Sequence, residues 1–230
     1  MLKIDALNQY YGGSHILRNV NLAAEDGKLT VLLGRNGVGK STLLRCLMGV
    51  VAAKSGTVSW RGKALGALPP YARVAAGLAY VPQGRDIFPR LTVEENLLVG
   101  AASRKAPSKV PDRIYDLFPV LKDMRARRGG DLSGGQQQQL AIARALVTEP
   151  KVLLLDEPTE GIQPSIIKDI AKALNEIRKM REITIIVSEQ VLSFALDVAD
   201  RLFVIEGGRL VHETARADTD VGRIKQYLSV

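Results

Sequence analysis

Gly34-Arg35-Asn36-Gly37-Val38-Gly39-Lys40-Ser41 fits the pattern G-x-x-x-x-G-K-S, and no other stretch of the 230 residues constrains the chain as strongly. The pattern acquires meaning from its neighbours. Leu29 to Leu33 (LTVLL) is a short unbroken apolar run, as expected of a parallel strand covered on both faces. After Lys40, the residues Leu43, Leu44, Leu47, Met48 and Val51 recur at helical spacing. Strand, glycine loop and helix in that order form a phosphate cradle. Backbone N–H groups can enclose a phosphate only where side chains stay out of the way, hence the glycines. Lys40 is then a point charge between β- and γ-phosphates, Ser41 a hydroxyl for Mg²⁺, and the helix N-terminus a source of positive potential. Arg35, Asn36, Val38 and Thr42 belong to the same cradle.

Such a cradle needs a carboxylate on a neighbouring strand. Leu153-Leu154-Leu155-Asp156-Glu157 provides two at a strand end, the edge at which parallel sheets bind ligands. Asp156 is expected to hold the metal through water. Glu157 is the candidate general base that orients and polarises the attacking water. Ile183 to Val187 (ITIIV) reads as a third buried strand, and Ile166, Ile167, Ile170, Leu174 and Ile177 stripe a helix between the two. Leu202 to Ile205, Gly207-Gly208 and Leu210-Val211 read as a hairpin. Leu2, Ile4 and Ala6, then Ile16 to Ala23, and TVSWRG predict further strands. Thr92 with Glu95 predicts a capped helix from Val93, Gln136 to Val147 reads as helical, and a last helix is expected over Val221 to Leu228.

Composition removes other classes. One cysteine cannot make an internal disulfide, which points to a reducing compartment, and Cys46 lies on the first helix as a packing residue. The longest stretches free of charge, such as Leu132 to Ala143, have 12 residues, against the roughly 18 of a membrane span. MLKIDALNQYYGG lacks a basic region followed by an apolar one, so no signal peptide is expected. The net charge of +8 suggests phosphorylated ligands, nucleic acid or an anionic surface. Between Arg104 and Arg128, eight basic and three acidic residues concentrate +5 of it in a section predicted to be a small lobe, with a loop or hinge from Ala101 to Pro111.

Leu132-Ser133-Gly134-Gly135-Gln136 decides among the possibilities. Ser133 and Gln136 alone would make an ordinary capping box, but five specified residues between the cradle and Asp156 recur by chance in well under one chain in a thousand, on the order set by average composition. With this LSGGQ, the chain resembles the ATP-binding cassette family over essentially its whole length. The resemblance implies an α/β fold: a RecA-like parallel-sheet P-loop core, an N-terminal antiparallel β subdomain and a small helical subdomain. The expected single domain spans 1–230, with about 1–85 and 150–230 as core and about 86–149 as the helical part. It also implies ATP and Mg²⁺ as cofactors, Tyr11 stacked on adenine, and Gln83 of YVPQG as the Q-loop residue near the metal. A half-buried strand aromatic is the alternative for Tyr11. Leu132 to Gln136 would contact ATP held by another subunit, in a head-to-tail dimer.

Two positions depart from the family pattern. Gln190 stands where a switch histidine is usual, and glutamine can donate to a γ-phosphate but takes up no proton at neutral pH. Glu160-Gly161-Ile162-Gln163-Pro164 lacks the usual D-loop aspartate. His15 and His212 read as surface or strand residues. Glu157, Gln190 and Lys40 are therefore the expected catalytic set. Val187-Ser188-Glu189-Gln190 and GRDIFPRLTVEENL resemble ATPases of branched-chain amino acid importers, and DEPTEGIQPSIIKDI looks like the second ATPase of urea importers. The resemblance thus implies a peripheral motor on the cytoplasmic face of the inner membrane. Its expected partners are permease subunits docked between Gln83 and Leu98 through an exposed Phe88 and Leu91, and a second ATPase, identical or paralogous. Urea is the expected cargo, with branched-chain amino acids or short-chain amides as the alternative, and the cassette itself touches no solute. A soluble cassette acting on nucleic acid or ribosomes is disfavoured, because only 48 residues separate Gln83 from Leu132, with no second P-loop.

Overall fold

Within each central strand, alternate side chains go to different cores, which explains why these strands read as unbroken apolar runs. Leu29, Val31 and Leu33 face one core while Leu32 faces the other. Leu153 and Leu155 part from Val152 and Leu154 in the same way, and Ile185 and Val187 from Ile186. The structure, a computed structural model, describes residues 1–101, 109–180 and 182–228.

The chain begins with a hairpin of β1 (Leu2–Tyr11) and β2 (Ser14–Ala24), then β3 (Leu29–Leu33), the cradle and helix α1 (Lys40–Met48). Strands β4 (Ser55–Trp60) and β5 (Lys63–Ala64) precede α2 (Pro70–Ala75) and β6 (Leu78–Val81). Helices α3 (Val93–Ala101), α4 (Asp112–Leu117), α5 (Pro119–Asp123) and α6 (Gly134–Val147) come next. The chain then alternates through β7 (Val152–Asp156), α7 (Pro164–Met180), β8 (Thr184–Glu189) and α8 (Leu192–Val198), and ends with β9 (Arg201–Glu206), β10 (Arg209–Ala215) and α9 (Val221–Leu228).

Among the described residues two sheets form. The larger has the order β10-β9-β3-β8-β7-β6, and all its pairings are parallel except the glycine-turned hairpin of β9 and β10. The smaller, antiparallel sheet has the order β2-β1-β4-β5 and shares a core with α1. Val93 and Leu97 of α3, Ile114 of α4, Leu121 of α5 and Phe118 between the last two join the opposite core, together with residues of α6 and α7. The helical section is therefore continuous with the sheet's own packing.

Several boundaries differ from the sequence reading. The strand expected over Ile183 to Val187 begins at Thr184 and runs on to Glu189, carrying two polar residues into the interior. The helix expected from Gln136 begins at Gly134, because Ser133 caps it. Cys46 is buried as expected, and burial pushes its thiol up to about 11. Arg104 and Lys105 of the basic segment, and most of the hinge expected over Ala101 to Pro111, lie outside the described residues. No described helix is long and apolar enough to cross a membrane.

Candidate functional site

The cradle turns where only glycine fits. A Cβ on Gly34 would lie 2.6 Å from the Ile205 carbonyl oxygen, and Gly37 and Gly39 have φ of 78° and 111°. The loop is pinned at both ends: Gly34 N–H donates to the Glu189 carbonyl at 3.1 Å and Gly208 N–H to that of Val38 at 3.1 Å. Gly39 is the N-cap of α1, so Lys40 and Ser41 open the helix at its positive end. Lys40 Nζ donates to the carbonyls of Gly34 (2.7 Å) and Arg35 (2.8 Å) and pairs with Glu157 Oε1 at 2.9 Å. Lys40 is 3% exposed and Glu157 6%. Tyr11, Gly37, Gly39, Lys40, Ser41, Thr42 and Glu157 line an open cleft of about 180 Å³, with Tyr11 exposed at its rim. Arg35 and Asn36 are exposed on the loop and Val38 is half-buried.

Asp156 closes the floor with three hydroxyl donors. Its Oδ1 accepts from Ser41 Oγ at 3.0 Å and Ser188 Oγ at 2.6 Å, and its Oδ2 from the Tyr80 hydroxyl at 3.0 Å. Burial and the facing Asp156 carboxylate push the Tyr80 phenol upward, so it stays a donor. Glu157 follows with φ of 46°, a left-handed conformation that costs a non-glycine residue on the order of 1 kcal/mol or more. Its N–H is held by the Ser188 carbonyl (3.0 Å) and hydroxyl (3.1 Å). The strained turn aims the side chain back at Lys40, leaving Glu157 Oε2 buried without a hydrogen-bond partner. That oxygen is suited to accept from a water or a ligand group.

Mg²⁺ takes oxygen ligands, keeps several waters, and in nucleotide sites needs one or two carboxylates with the phosphates. Ser41 Oγ and Asp156, already in contact, match that donor set. Among the described residues no cluster of three or more His, Cys, Asp or Glu forms, so a metal here relies on phosphate oxygens and water.

The signature residues are arranged differently. Ser133 Oγ accepts from Gln136 N–H and Gln136 Oε1 from Ser133 N–H at 2.9 Å, a complete capping box. Leu132 is buried, Ser133 exposed and Gly134 half-buried. A Cβ on Gly135 would lie 2.7 Å from Ile166 Cγ2, so this glycine lets α6 abut the start of α7.

Gln83, expected near the metal, is exposed, and its Nε2 donates to Glu160 Oε2 at 2.6 Å; it is not brought to Ser41 or Asp156. Two residues on, Arg85 lies against Gly134 and reaches Gln137 Oε1 at 3.5 Å. Gln190 is exposed beyond the end of β8. His15 and His212 lie on β2 and β10, stacked on Tyr10 and Tyr227.

At the end of α1 away from the cradle, between α1, α2, β6 and α6, runs an apolar groove of about 320 Å³ with Val50, Val74, Tyr80, Arg85, Ala141 and Arg144 in its wall. Phe88 is 43% exposed, with the Arg144 guanidinium 5.0 Å above its ring. Leu91, expected to be exposed with it, is half-buried, because its carbonyl accepts from Gly129 N–H and Asn96 Nδ2 and draws the loop inward.

Three residues that sequence reasoning missed organise these parts. Tyr80 reaches Asp156 from the next strand. Asn96, fully buried, exchanges hydrogen bonds with both backbone groups of Phe88 and caps the carbonyls of Leu91 and Thr92, fixing the loop that presents Phe88. Glu189, 1% exposed, accepts at Oε1 from Thr159 N–H and hydroxyl and at Oε2 from the N–H groups of Gln190 (2.8 Å) and Val191 (2.9 Å). Burial pushes the Glu189 carboxyl up, and the four hydrogen bonds oppose that shift. In sequence Tyr80 is one residue of the strand-like LAYV, and Asn96 and Glu189 directly follow other polar residues, so nothing local marks any of the three.

Comparison with known proteins gives consistent results. The family model described as ABC transporter matches residues 17–160. The chain is 43% identical over 220 residues to the high-affinity branched-chain amino acid transport ATP-binding protein BraG of Pseudomonas aeruginosa, covering 94% of each chain. It is 39% identical over 213 residues to the probable branched-chain amino acid transport ATP-binding protein LivF of Archaeoglobus fulgidus, covering 91% of this chain and 90% of that one. A nucleotide-free ATP-binding cassette from an ABC transporter superposes with a TM-score of 0.81 at 27% identity, covering 100% of this chain and 95% of the other. A dimeric bacterial ABC transporter cassette gives 0.84 at 23% identity over 94% of this chain and 99% of that one, a likeness of fold.

Proposed function

The chain belongs to the ABC transporter family as one of its ATPases, and we propose that it hydrolyses ATP to drive import of branched-chain amino acids. The observation that carries the hydrolytic part is the buried pair of Lys40 and Glu157, with Ser41 and Asp156 in contact below it. On ATP binding, Lys40 exchanges loop carbonyls for β- and γ-phosphate oxygens, and Glu157 turns its free oxygen to the attacking water. Ser41 Oγ and Asp156, already in contact, would hold a Mg²⁺ that came with the nucleotide, and the ion would supply positive charge against the charge developing on the phosphates. Tyr11 borders the cleft where an adenine would stack. Gln83, joined to Glu160, and Gln190 would approach the γ-phosphate as the site closes.

Closure requires a second cassette, identical or paralogous. Its Ser133, with the N–H groups of Gly134 and Gly135 at the start of α6, would complete the γ-phosphate shell. The permease would seat a short helix in the groove beside Phe88, between the cradle's helix and α6. On this reading the chain works at the cytoplasmic face of the membrane. The basic residues from Lys109 to Arg128 are then a solvated face, or an attraction to anionic lipid beside the docking site.

The cargo assignment rests on the relatives. BraG and LivF are both named for branched-chain amino acids, which favours the alternative over the urea suggested by DEPTEGIQPSIIKDI. Uptake of labelled leucine and labelled urea, in cells lacking this subunit and in cells with it restored, decides the cargo: restoration of leucine uptake alone is expected, and of urea alone would overturn the assignment. Glu157→Gln tests the mechanism. It should keep ATP binding, slow turnover by about 10²- to 10⁴-fold and accumulate an ATP-held dimer; undiminished turnover would remove Glu157 from its role.

A further inference from the structure

Glu189 touches three of the segments that the hydrolytic reading uses. Its carbonyl receives the N–H of Gly34, the first cradle residue. Its carboxylate holds Thr159, two residues after Glu157, through both backbone N–H and hydroxyl. Its second oxygen holds the N–H groups of Gln190 and Val191. Ser188 does the same one residue earlier, receiving Glu157 N–H and donating to Asp156. A carboxylate is the side chain that can accept on both oxygens with nothing to donate, and here all four donors converge on it.

We propose that Glu189 is a positioning residue that clamps the turn after Glu157 to the segment bearing Gln190, so that base and γ-phosphate contact are set as one rigid unit. Its role is to act through Thr159 and Gln190, the groups it holds. The inference rests on the reading of Glu157 as the base and Gln190 as its companion. It also accounts for an otherwise isolated feature, a carboxylate 1% exposed with no cation against it among the described contacts. Four fixed N–H and O–H dipoles do the work of a counter-ion. The clamp locks Gln190 at its backbone, which suits a side chain that acts by donating a hydrogen bond.

Two isosteric variants test this. Glu189→Gln keeps the shape but must turn an NH₂ group toward either Thr159 or the N–H groups of Gln190 and Val191, opening one side of the clamp. Thr159→Val removes only the hydroxyl donor. Each is measured for turnover, KM, affinity for a fluorescent ADP analogue and thermal midpoint, alone and combined. Turnover of Glu189→Gln is expected to fall on the order of 10²-fold, the cost of about 1 Å of misplacement, with analogue affinity nearly unchanged because the cradle is intact. Thr159→Val should fall less. The double variant should be no slower than Glu189→Gln, since both open the same clamp.

Unchanged turnover in Glu189→Gln, or a parallel loss of turnover and analogue affinity, overturns the proposal. So does a double variant whose losses multiply. If Glu189→Gln fails to fold, Thr159→Val and its KM-against-turnover split decide alone. Undiminished turnover in Glu157→Gln would take down the hydrolytic reading and the clamp with it. Loss there with none in Glu189→Gln removes the clamp only.

Discussion

The cradle and the signature turn each offer a helix N-terminus to phosphate, and they are built in opposite ways. At the cradle, α1 is capped by a left-handed glycine with no side-chain hydrogen bond, and the loop ahead of it is fixed by a buried ion pair. At the signature, α6 is capped by a neutral, reciprocal box at the surface. The cradle is charged and braced from within by the Lys40–Glu157 pair, with one Glu157 oxygen left free, so it holds its shape alone and can supply affinity. The signature turn carries no charge in its own five residues, only the helix dipole and backbone N–H groups, with the Arg85 guanidinium lying against Gly134. It can recognise a phosphate presented by something else. One half of the site is therefore a binder and the other a reader, a division suited to a dimer that forms on ATP.

Lys40→Ala should break the comparison most severely. It removes the proposed phosphate contact and leaves Glu157 buried without its cation, at a cost of about 3–5 kcal/mol in stability. Nucleotide binding and thermal midpoint should both collapse; retained ATP affinity would show that the cradle is not the binder.

Gly135→Ala attacks the other half. Its new methyl would meet Ile166 at 2.7 Å, and overpacking there costs about 1–3 kcal/mol. ATP-driven dimerisation, followed by light scattering in a Glu157→Gln background, should fail. ADP affinity of the monomer should stay within about twofold, because cradle and signature share no contact. A parallel loss of ADP affinity would mean that the halves are not independent.

These contrasts also mark what the sequence made legible. Leu29 to Leu33 and Val152 to Leu155 announced a doubly covered sheet because each run feeds two cores. Gly34 to Ser41 and Leu132 to Gln136 were legible because backbone-built sites write their needs in glycine at fixed spacing. Tyr80, Asn96 and Glu189 were not. Tyr80 acts on a residue 76 positions away and Glu189 on one 30 away, and no local pattern encodes a contact made by strand neighbours. Leu91 misled for a related reason: its exposure is set by Asn96, whose amide is an ordinary polar residue until the helix folds over it. Gln83 was placed by family position, whereas in this structure its partner is Glu160, 77 residues on, in the loop after Glu157.

A milder change sharpens the account of the reader. Ser133→Ala removes the cap acceptor and should cost about 1 kcal/mol of stability. It should weaken ATP-driven dimerisation more than that loss alone explains if, as proposed, the same hydroxyl meets the phosphate in trans. Dimerisation falling only in step with stability would reduce Ser133 to a cap.

The smallest effect separates two capping boxes among the described residues. At α3, Thr92 and Glu95 form the same reciprocal box as Ser133 and Gln136, but with a carboxylate whose pKa is held below its ordinary 4.5 by hydrogen bonds from Thr92. A depressed folded value means that this box stabilises fully above the unfolded pKa and fades as pH falls through the folded one. The box at α6 contains no titrating group and should be indifferent to pH over that window. Gln136→Glu would convert one into the other. The carboxylate keeps the bond to Ser133 N–H and gains about 0.3–1 kcal/mol from the helix dipole at pH 7, lost again toward pH 3. Its side chain turns back toward Ser133, so the N–H groups of Gly134 and Gly135 stay open and dimerisation on ATP should change little. A large loss of dimerisation from this one charge would mean that the reader depends on neutrality around the phosphate as well as on its free N–H groups.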